Sequence, residues 1–365
     1  QFEEPLFHIH LNVDYPFNLT GILYFPKISN DLNLQKDRIQ LYQNQVFVTD
    51  NVEGIVPEFL GLLKGVIDSP DIPLNVSRSY LQSDASVKKI TNYITRKVAD
   101  KLNSIFKNER ENLESKWNDI KVVIEYGMLT EDKFYDKAES FNLYPTVDDK
   151  YFTYEELEKK IKKLQTDKDG NLIILYAQNK DEQYTYIESA KEKGYEVLLL
   201  DSPIIPHLMQ KLESKKEKIK FSRVDSDTLE NLIKKDEEVI SKLSDEDKEK
   251  LKPMIETAVE DEKYTVQLEA LDSSSMPFML AQPEFMRRMK EMQQTGGGAM
   301  GNMPDMYSLI VNTNHELVGK ILNTKTEKKR NSLIKQSIDL AKLSQNNLTG
   351  KDLTEFINRS IDLIK

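Results

Sequence analysis

Residues 65–82 read GVIDSPDIPLNVSRSYLQ, and this stretch lies between an apolar run and a long helical pattern. Turn-forming residues alternate in it with apolar ones, so we expect a loop that is pinned to a core at several points. A pinned loop holds a side chain in a fixed direction, and the side chain presented here is Arg78. For an arbitrary loop arginine, a pair with a neighbouring carboxylate such as Asp68 or Asp71, which would staple the loop, is the more common role. The pinning positions are Val66, Ile67, Ile72, Leu74, Val76 and Leu81.

Upstream of this loop the sequence predicts two strands and a short helix. Residues 17–26 and 39–48 are rich in β-branched and aromatic side chains, which are typical of strands. Residues 55–64 carry apolar side chains at helical spacing and predict a short amphipathic helix. Downstream, a helix cap at Ser83 or Asp84 precedes a long apolar stripe. Together these patterns predict a compact α/β unit.

The rest of the chain alternates strand and helix patterns after a charged stretch at 108–114, which we interpret as a hinge. Two nearly all-apolar runs, 172–177 and 195–200, are joined by a helical pattern at 181–193. Apolar strands joined by a helical crossover indicate a parallel sheet that is buried on both faces. The predicted fold class is α/β and α+β multidomain, with further helices at 154–164, 316–322, 327–343 and 351–364 and a strand at 264–271.

The composition is that of a globular protein of 365 residues, and it excludes several classes of function. A net charge of −10 argues against binding of nucleic acid by the whole surface. The chain has no cysteine, so it has no disulfide framework and no thiol nucleophile, which fits a cytoplasmic protein. No apolar run reaches the roughly 20 residues that span a membrane. His8 and His10 have no third ligand near them in sequence, so no metal site is predicted.

The loop resembles the catalytic loop in the middle domain of the heat shock protein 90 chaperones, and the bacterial members most of all. The shared pattern is G-V-I-D-S-x-D-I-P-L-N-V-S-R-x-x-L-Q, taken from residues 65–82. The resemblance implies that Arg78 reaches the γ-phosphate of an ATP held by an N-terminal domain, a task that suits a permanently charged fork of donors. It also implies that Gln82 contacts this phosphate and that Asn75 orders the loop. The family commonly has an acidic residue after the arginine, where this chain has Ser79.

A methionine-rich segment at 276–306 holds eight of the chain's eleven methionines. An apolar stripe and a row of cations fall on opposite faces of a helix in this segment, and the cations are Arg287, Arg288 and Lys290. Methionines at helical spacing are more often core filler, but Pro277, Pro283 and the glycines at 296–298 predict a mobile segment, which makes poor core. The resemblance implies a surface that contacts unfolded client proteins through Met276, Phe278, Met279, Phe285, Met286, Met289 and Met292.

The last two helical patterns each carry a clean apolar stripe. On the residues alone, these stripes could dock back onto the same chain. The resemblance implies instead that they pack against their copies in a second chain and form a four-helix dimer. The stripe positions are Leu333, Ile334, Ile338 and Ala341, then Leu353, Phe356, Ile357 and Ile364. Just before them, residues 312–318 (NTNHELV) resemble the helix start of the family, where Asn314 can cap the helix.

The resemblance also implies a domain division. Residues 1–221 would form the middle domain, with a large α/β lobe at about 1–107 and a small α/β lobe at about 116–221. Residues 222–365 would form a C-terminal dimerisation domain. The chain starts at Gln1 without an initiator methionine, so we expect it to be a piece of a longer protein whose N-terminal ATPase domain lies upstream.

We therefore predict a homodimeric part of an ATP-dependent chaperone that binds unfolded client proteins during protein folding and the stress response. Alone, this chain is not expected to be an enzyme or to bind a cofactor, whereas the full-length protein would use ATP and Mg. No nucleic acid or membrane partner is expected. The alternative is a passive dimeric scaffold without client binding. A stand-alone phosphotransferase is disfavoured, because the glycine run at 296–298 is not followed by the Lys-Ser or Lys-Thr of a phosphate cradle.

Overall fold

The computed structural model of the chain contains two compact units, and both are mixed α/β as predicted. The structure describes residues 5–26, 39–50, 52, 55–72, 85–236, 239–259, 263–296 and 306–364. No helix in these ranges has the length and apolar character needed to cross a membrane. The first unit comprises Gln1–Pro145, Asp149–Lys159 and Ser202–Leu212, and the second comprises Thr146–Asp148, Lys160–Asp201 and Glu213–Lys365.

A five-stranded sheet in the order β1-β2-β5-β3-β4 is the base of the first unit. All neighbours pair antiparallel except β3 and β5, which run parallel. Burial alternates along β1: Phe7, Ile9 and Leu11 are buried and the residues between them are exposed. This alternation is typical of a sheet with one buried face. The strands are β1 (Phe7–Val13), β2 (Leu19–Phe25), β3 (Ile39–Gln43), β4 (Val46–Thr49) and β5 (Lys64–Asp68).

Residues 39–48 form a hairpin, so the prediction of a single strand there is wrong. Asn44 and Gln45 have φ of 50° and 67°, and this left-handed pair reverses the chain between β3 and β4. The N–H of Gln45 donates to Asp68 Oδ2 (2.7 Å), which ties the turn to the end of β5. Strand-forming residues flank the turn on both sides, and it contains no glycine. The composition of 39–48 therefore does not indicate a turn.

Two helical segments flank the loop, and the first is shorter and tighter than predicted. Residues Glu58–Leu62 form a 3₁₀ helix after Pro57. Because β5 begins at Lys64, only a short run is available, and short runs commonly take this form. The predicted caps Ser83 and Asp84 lie outside the described residues. Helix α1 (Ala85–Asn108) follows, and it buries the predicted stripe at Val87, Ile90, Ile94, Val98, Leu102 and Ile105.

The charged stretch at 108–114 is helical except at Glu109, whose backbone (φ −142°, ψ 44°) separates α1 from the next helix; its interpretation as a hinge stays a prediction. Arg110 lies 2.7 Å from Glu114, one turn along the helix, and 2.6 Å from Glu156. These ion pairs join Arg110 to its own helix and to Glu156, so the charges stabilise local structure. The elements of this region are α2 (Arg110–Ser115), α3 (Trp117–Thr130), α4 (Asp132–Ala138), the small hairpin of β6 (Tyr144–Pro145) and β7 (Tyr151–Phe152), and α5 (Tyr154–Ile161).

The predicted parallel sheet is confirmed in the second unit. Strand β8 (Leu172–Ala177) lies between β10 (Ile219–Arg223) and β9 (Val197–Leu199), and both pairings are parallel. Every side chain of β8 is buried, as its apolar run requires. Strand β10 runs through residues 221 and 222, where the predicted domain boundary falls; the domain division stays a prediction. The helices of this part of the second unit are α6 (Tyr184–Glu192) and α8 (Leu229–Leu232), and α7 (Ile205–Lys215) belongs to the first unit up to Leu212 and to the second from Glu213.

The C-terminal part of the second unit is a three-stranded sheet with helices packed on it. Strand β11 (Tyr264–Glu269) runs parallel to the central strand β13 (Tyr307–Asn312), and β12 (Phe278–Ala281) runs antiparallel to it. The last three predicted helices are confirmed to within one residue at each end. The helices of this part are α9 (Asp245–Val259), α10 (Glu284–Gly296), α11 (Glu316–Asn323), α12 (Glu327–Ser344) and α13 (Gly350–Ile364).

Gly65 marks a close approach of β5 to β2. Its φ is +149°, and a Cβ added there would lie 2.1 Å from the carbonyl oxygen of Ile22.

We predict that Gly65→Ala lowers the free energy of unfolding of the first unit by about 1–3 kcal/mol, because the backbone of β5 must shift. Urea unfolding measures the loss. Gly61→Ala is the matched control, since nothing lies within 4 Å of its Cβ position, and an equal loss there would contradict this explanation.

Candidate functional site

The residues predicted to act on a nucleotide lie outside the described residues. Asn75, Arg78 and Gln82 all fall within 73–84, a stretch that is not among the described ranges. The same holds for Ser79 and for the pinning positions Leu74, Val76 and Leu81. The roles of Asn75, Arg78 and Gln82 therefore stay predictions from the resemblance.

Residues 69–72 follow β5 and are the described arm of the loop. Hydrogen bonds to residues in and beside the sheet hold this arm in place. The Ser69 hydroxyl donates to the carbonyl oxygen of Asn18 (2.6 Å), and the N–H of Asn18 donates to Asp71 Oδ2 (2.6 Å). The Gln43 side-chain amide donates to the carbonyl oxygen of Ile72 (3.3 Å), whose own side chain is buried. The pinning predicted for this arm is therefore confirmed at Ile72.

The two aspartates that could have stapled Arg78 have backbone partners of their own. Asp71 accepts from Asn18, and Asp68 accepts from the N–H of Gln45 (2.7 Å). A carboxylate that accepts a backbone N–H stabilises a turn without help from a cation. The described arm is thus fixed by these contacts, whatever Arg78 contacts.

Helix α10 carries the predicted apolar stripe and cations, but its orientation is the reverse of an ordinary amphipathic helix. Arg287 is buried, with 3% of its surface exposed, whereas Phe285 is 69% exposed. Met286, Met289 and Met292 are half-buried. Surface helices usually turn their apolar face to the core and their cations to water. The tertiary structure must therefore supply partners that make burial of a cation favourable.

Glu284, in the first turn of α10, is the centre of those partners. Its Oε1 accepts hydrogen bonds from the Tyr176 hydroxyl (2.7 Å), from Arg287 Nη2 (2.7 Å) and from Arg288 Nε (2.6 Å). Burial raises the pKa of Tyr176, so its hydroxyl stays protonated and can donate. Burial by itself raises the pKa of Glu284, but the charges of Arg287 and Arg288 outweigh it and lower the pKa to about 2. The Glu284 carboxylate is therefore ionised at neutral pH.

The two arginines connect α10 to the strands of the parallel sheet. Arg287 Nη2 donates to the hydroxyl of Tyr176, which belongs to β8. Arg288 forms a two-pronged pair with Glu213 (2.8 and 3.2 Å) and donates to the carbonyl oxygen of Phe221 in β10 (2.6 Å). Two-pronged arginine–carboxylate pairs are strong and directional. The helix is thus joined to its unit through charged and polar groups.

Arg223, at the end of β10, completes this network. Its backbone N–H donates to Glu284 Oε2 (3.1 Å), so both carboxylate oxygens of Glu284 are satisfied. Its guanidinium pairs with Asp225 (2.5 and 3.0 Å) and donates to Gln178 Oε1 (3.0 Å). Buried charges are stable only when each has such partners. Sequence analysis did not find this network, because its members come from β8, α7, β10 and α10.

Phe278 does not belong to an exposed apolar surface, which corrects its prediction as a client-binding residue. It lies in β12, and its ring is buried in the core of the C-terminal sheet with 2% exposed. Met279 is half-buried and packs against other core residues of the second unit. Met276, which precedes β12, is 41% exposed. Successive residues of a strand face opposite sides, so β12 cannot present Phe278 and Met279 together.

The apolar stripe of α12 packs against the core of its own unit. This corrects the prediction that the stripe forms a dimer surface. Ile334, Ile338 and Ala341 are buried in the core formed with the C-terminal sheet, and Leu333 packs against the same core. A sheet with an apolar face needs a cover, and α12 provides one. The alternative that the stripe docks on the same chain therefore holds for α12.

Helix α13 keeps an apolar face that its own unit leaves exposed. Ile357 is 47% exposed and Ile364 is 85% exposed, while Leu353 and Phe356 are half-buried. Sequence analysis missed Ile361, which is also exposed; its spacing of four and three residues from Ile357 and Ile364 is the signal that could have found it. The other exposed apolar side chains that it missed nearby are Leu340 and Leu343 of α12.

His315 caps the start of α11, so the prediction that Asn314 is the cap is wrong. Nδ1 of His315 accepts from the N–H of Leu317 (3.0 Å). Asn314 lies one residue earlier, where its Oδ1 accepts from the N–H of Lys242 (2.6 Å) and its amide donates to the carbonyl oxygen of Leu271 (3.0 Å). Asparagine is a common cap, but here tertiary contacts use both ends of its amide.

Histidine and acidic side chains are not grouped into a metal site in the described part of the chain. Within those ranges, no group of three or more histidine or acidic side chains is placed to hold a metal ion. His8 and His10 meet edge to face on β1, with ring centroids 5.4 Å apart. Both side chains lie on the exposed face of the strand.

Known proteins place the chain in one family. The profile of the family described as Hsp90 protein matches residues 1–360. Chaperone protein HtpG of Bacteroides thetaiotaomicron is 46% identical over 431 aligned residues, covering 99% of this chain and 63% of that protein. Chaperone protein HtpG of Porphyromonas gingivalis is 52% identical over 346 residues, covering 93% of this chain and 51% of that protein. This chain thus spans between half and two thirds of these relatives, and it belongs to the Hsp90 protein family.

Proposed function

We propose that this chain is part of a chaperone and binds apolar segments of unfolded client proteins on the outward face of α10. The family and the names of the relatives support a chaperone role. The observation that carries the client site is the orientation of α10, which buries Arg287 and exposes Phe285. Met289 and Met292, on the same face as Phe285, are half-buried, and a partly exposed apolar face of this kind is typical of interaction surfaces. Methionines suit varied partners because their side chains are flexible and polarizable.

We predict that combined Phe285→Ser, Met289→Ser and Met292→Ser substitutions weaken client binding by at least about tenfold, because apolar contact area is lost. Fluorescence anisotropy with labelled, reduced and carboxymethylated lactalbumin, which stays unfolded, measures the affinity. The matched control is Val46→Ser with Phe47→Ser, since these side chains are 67% and 54% exposed in the first unit.

Binding that survives the triple substitution would contradict the client site and favour the passive scaffold. An equal loss of affinity in the control would also contradict the client site, because any exposed apolar side chain would then contribute to client binding. Circular dichroism of each variant checks that the fold is retained.

We also propose that the loop at 65–82 completes ATP hydrolysis when the chain is joined to an N-terminal domain that holds ATP and Mg. Arg78 would stabilise the charge that develops on the γ-phosphate, Gln82 would contact the same phosphate, and Asn75 would order the loop. The hydrogen bonds that fix the arm at Ser69 and Ile72 support this proposal, because a donor must be held in place before the reaction. In this proposal the chain alone is not an enzyme.

We predict that Arg78→Ala in the full-length protein slows ATP hydrolysis by roughly 10²-fold while the affinity for ATP stays unchanged, as for loss of one transition-state donor. Steady-state phosphate release and nucleotide titration measure the two quantities. Arg96→Ala is the control, because Arg96 is an exposed cation of α1. An unchanged rate in Arg78→Ala would exclude the role of the arginine.

We further propose that two copies of the chain associate through α13, with residues 222–365 acting as the dimerisation domain in a cytoplasmic protein. The exposed apolar face of Ile357, Ile361 and Ile364 supports this proposal. The pair of Asp339 and Arg359 links α12 to α13, which gives that face a fixed support. An exposed helical stripe of this kind is usually covered by another helix.

We predict that Ile357→Ser, Ile361→Ser and Ile364→Ser together raise the dissociation constant of the dimer by about 10²-fold, because the centre of the contact becomes polar. Analytical ultracentrifugation measures the monomer–dimer equilibrium. The control is Val239→Ser with Ile240→Ser, two exposed apolar residues of the same unit. A monomeric parent chain, or an unaffected dimer in the triple variant, would contradict this interface.

A further inference from the structure

Charged side chains form the most buried described contacts of helix α10 with its unit, while its methionines are half-buried. Among the side chains described in this helix, 284–293, only Arg287 is buried. The side chains of Arg288 and Glu284 follow, with 12% and 15% exposed, and each is engaged in the network. Phe285, in contrast, is turned to solvent. The side of the helix that faces Tyr176 is therefore polar, whereas the opposite side carries the exposed Phe285 and the half-buried Met289 and Met292.

This network fixes the rotation of α10 about its axis. At 100° per residue, Phe285, Met289 and Met292 lie roughly 140–160° around the helix from Arg287. A rotation that buried this apolar face would pull Arg287 and Glu284 away from Tyr176. An ionised group left buried without its partners is strongly destabilising, more so than an exposed methionine. The helix thus has one favourable orientation, and that orientation displays the apolar face.

The direction of each contact makes the network suited to this task. Apolar packing is non-directional and tolerates sliding or rotation of a helix. The contacts of Arg288 with Glu213 and with the Phe221 carbonyl are directional, and they reach elements outside α10. Tyr176 adds a third attachment point, since its hydroxyl donates to Glu284 and accepts from Arg287. Attachments to β8, β10 and α7 together define both the position and the rotation of the helix.

We infer that Glu284, Arg287 and Arg288, held by Tyr176 and Glu213, form a polar clasp that positions the client surface of α10. This inference rests on the proposed client binding by the outward face. Arg287 is a positioning residue: it touches no client, and it acts by holding Phe285, Met289 and Met292 outward. When the clasp is broken, α10 loses its fixed orientation, and client affinity falls although every apolar side chain is still present.

Two variants test the clasp. Arg287→Met removes the charge but keeps a long side chain, and Tyr176→Phe removes only the hydroxyl that joins Glu284 to Arg287. Arg110→Met is the matched control, because Arg110 also pairs with two glutamates, but in the first unit. Amide hydrogen exchange followed by mass spectrometry reports the order of α10, and β8 and β10 in the same spectra report the sheet beneath it. Anisotropy with labelled, reduced and carboxymethylated lactalbumin reports client affinity.

We expect the amides of α10 to exchange at least about tenfold faster in Arg287→Met and less so in Tyr176→Phe, while β8 and β10 stay protected. Client affinity should fall in the same order, and Arg110→Met should change neither quantity. A change confined to α10 distinguishes positioning from general destabilisation, which would also release the strands. If Arg287→Met fails to fold, Tyr176→Phe, which loses one hydroxyl, carries the test.

Two results would overturn the clasp. One is an unchanged rate of amide exchange in α10 in every variant of the pair that folds, or in Tyr176→Phe alone if Arg287→Met does not fold. The other is a released α10 that binds the unfolded protein as well as the parent chain does, while the Phe285, Met289 and Met292 serine variant loses binding. A third result separates the two proposals. If the serine variant still binds the unfolded protein while Arg287→Met or Tyr176→Phe speeds exchange in α10, the clasp is supported and the proposed client site is contradicted.

Discussion

The carboxylate of Glu284 is the contact on which the orientation of α10 depends. It accepts hydrogen bonds from Tyr176, Arg287, Arg288 and the backbone of Arg223, while Glu291 and Glu213 provide further negative charge for Arg287 and Arg288. The neighbouring arginines lower its pKa to about 2 although burial opposes this. Such a group stays charged at any physiological pH. The helix that carries it can therefore bury its cations and leave its apolar side chains in water.

Two of the parts of the chain that we connect with function are fixed by polar contacts. In the first unit, Ser69 and Asp71 fix the arm of the loop through the backbone of Asn18. In the second unit, Tyr176 and Glu213 fix α10 through its arginines. Hydrogen bonds and ion pairs are directional, whereas apolar burial is not. Directional contacts are needed where a side chain must point outward, because burial alone would draw it inward.

Much of the fold could be predicted, because strands and helices leave a period in the sequence. The all-apolar β8 and the stripe of α1 are confirmed, since each pattern has one structural solution. The site was less predictable. Glu284 precedes Arg287 and Arg288 by three and four residues, which is the spacing of ion pairs along a helix, but this spacing is equally common on solvated faces. Nothing local to α10 indicates that Tyr176, more than 100 residues away, makes burial of those charges possible.

The residues alone carry the family motif at 65–82, the helical period of α12 and α13, and the amphipathic character of α10. Tertiary contacts then specify which face of each helix is covered. Ile334 and Ile338 of α12 are buried because the C-terminal sheet offers them an apolar surface, while Ile357 and Ile364 of α13 stay exposed. A period specifies that two faces differ, but the energy of covering either face depends on what lies opposite, and that is set by residues distant in sequence.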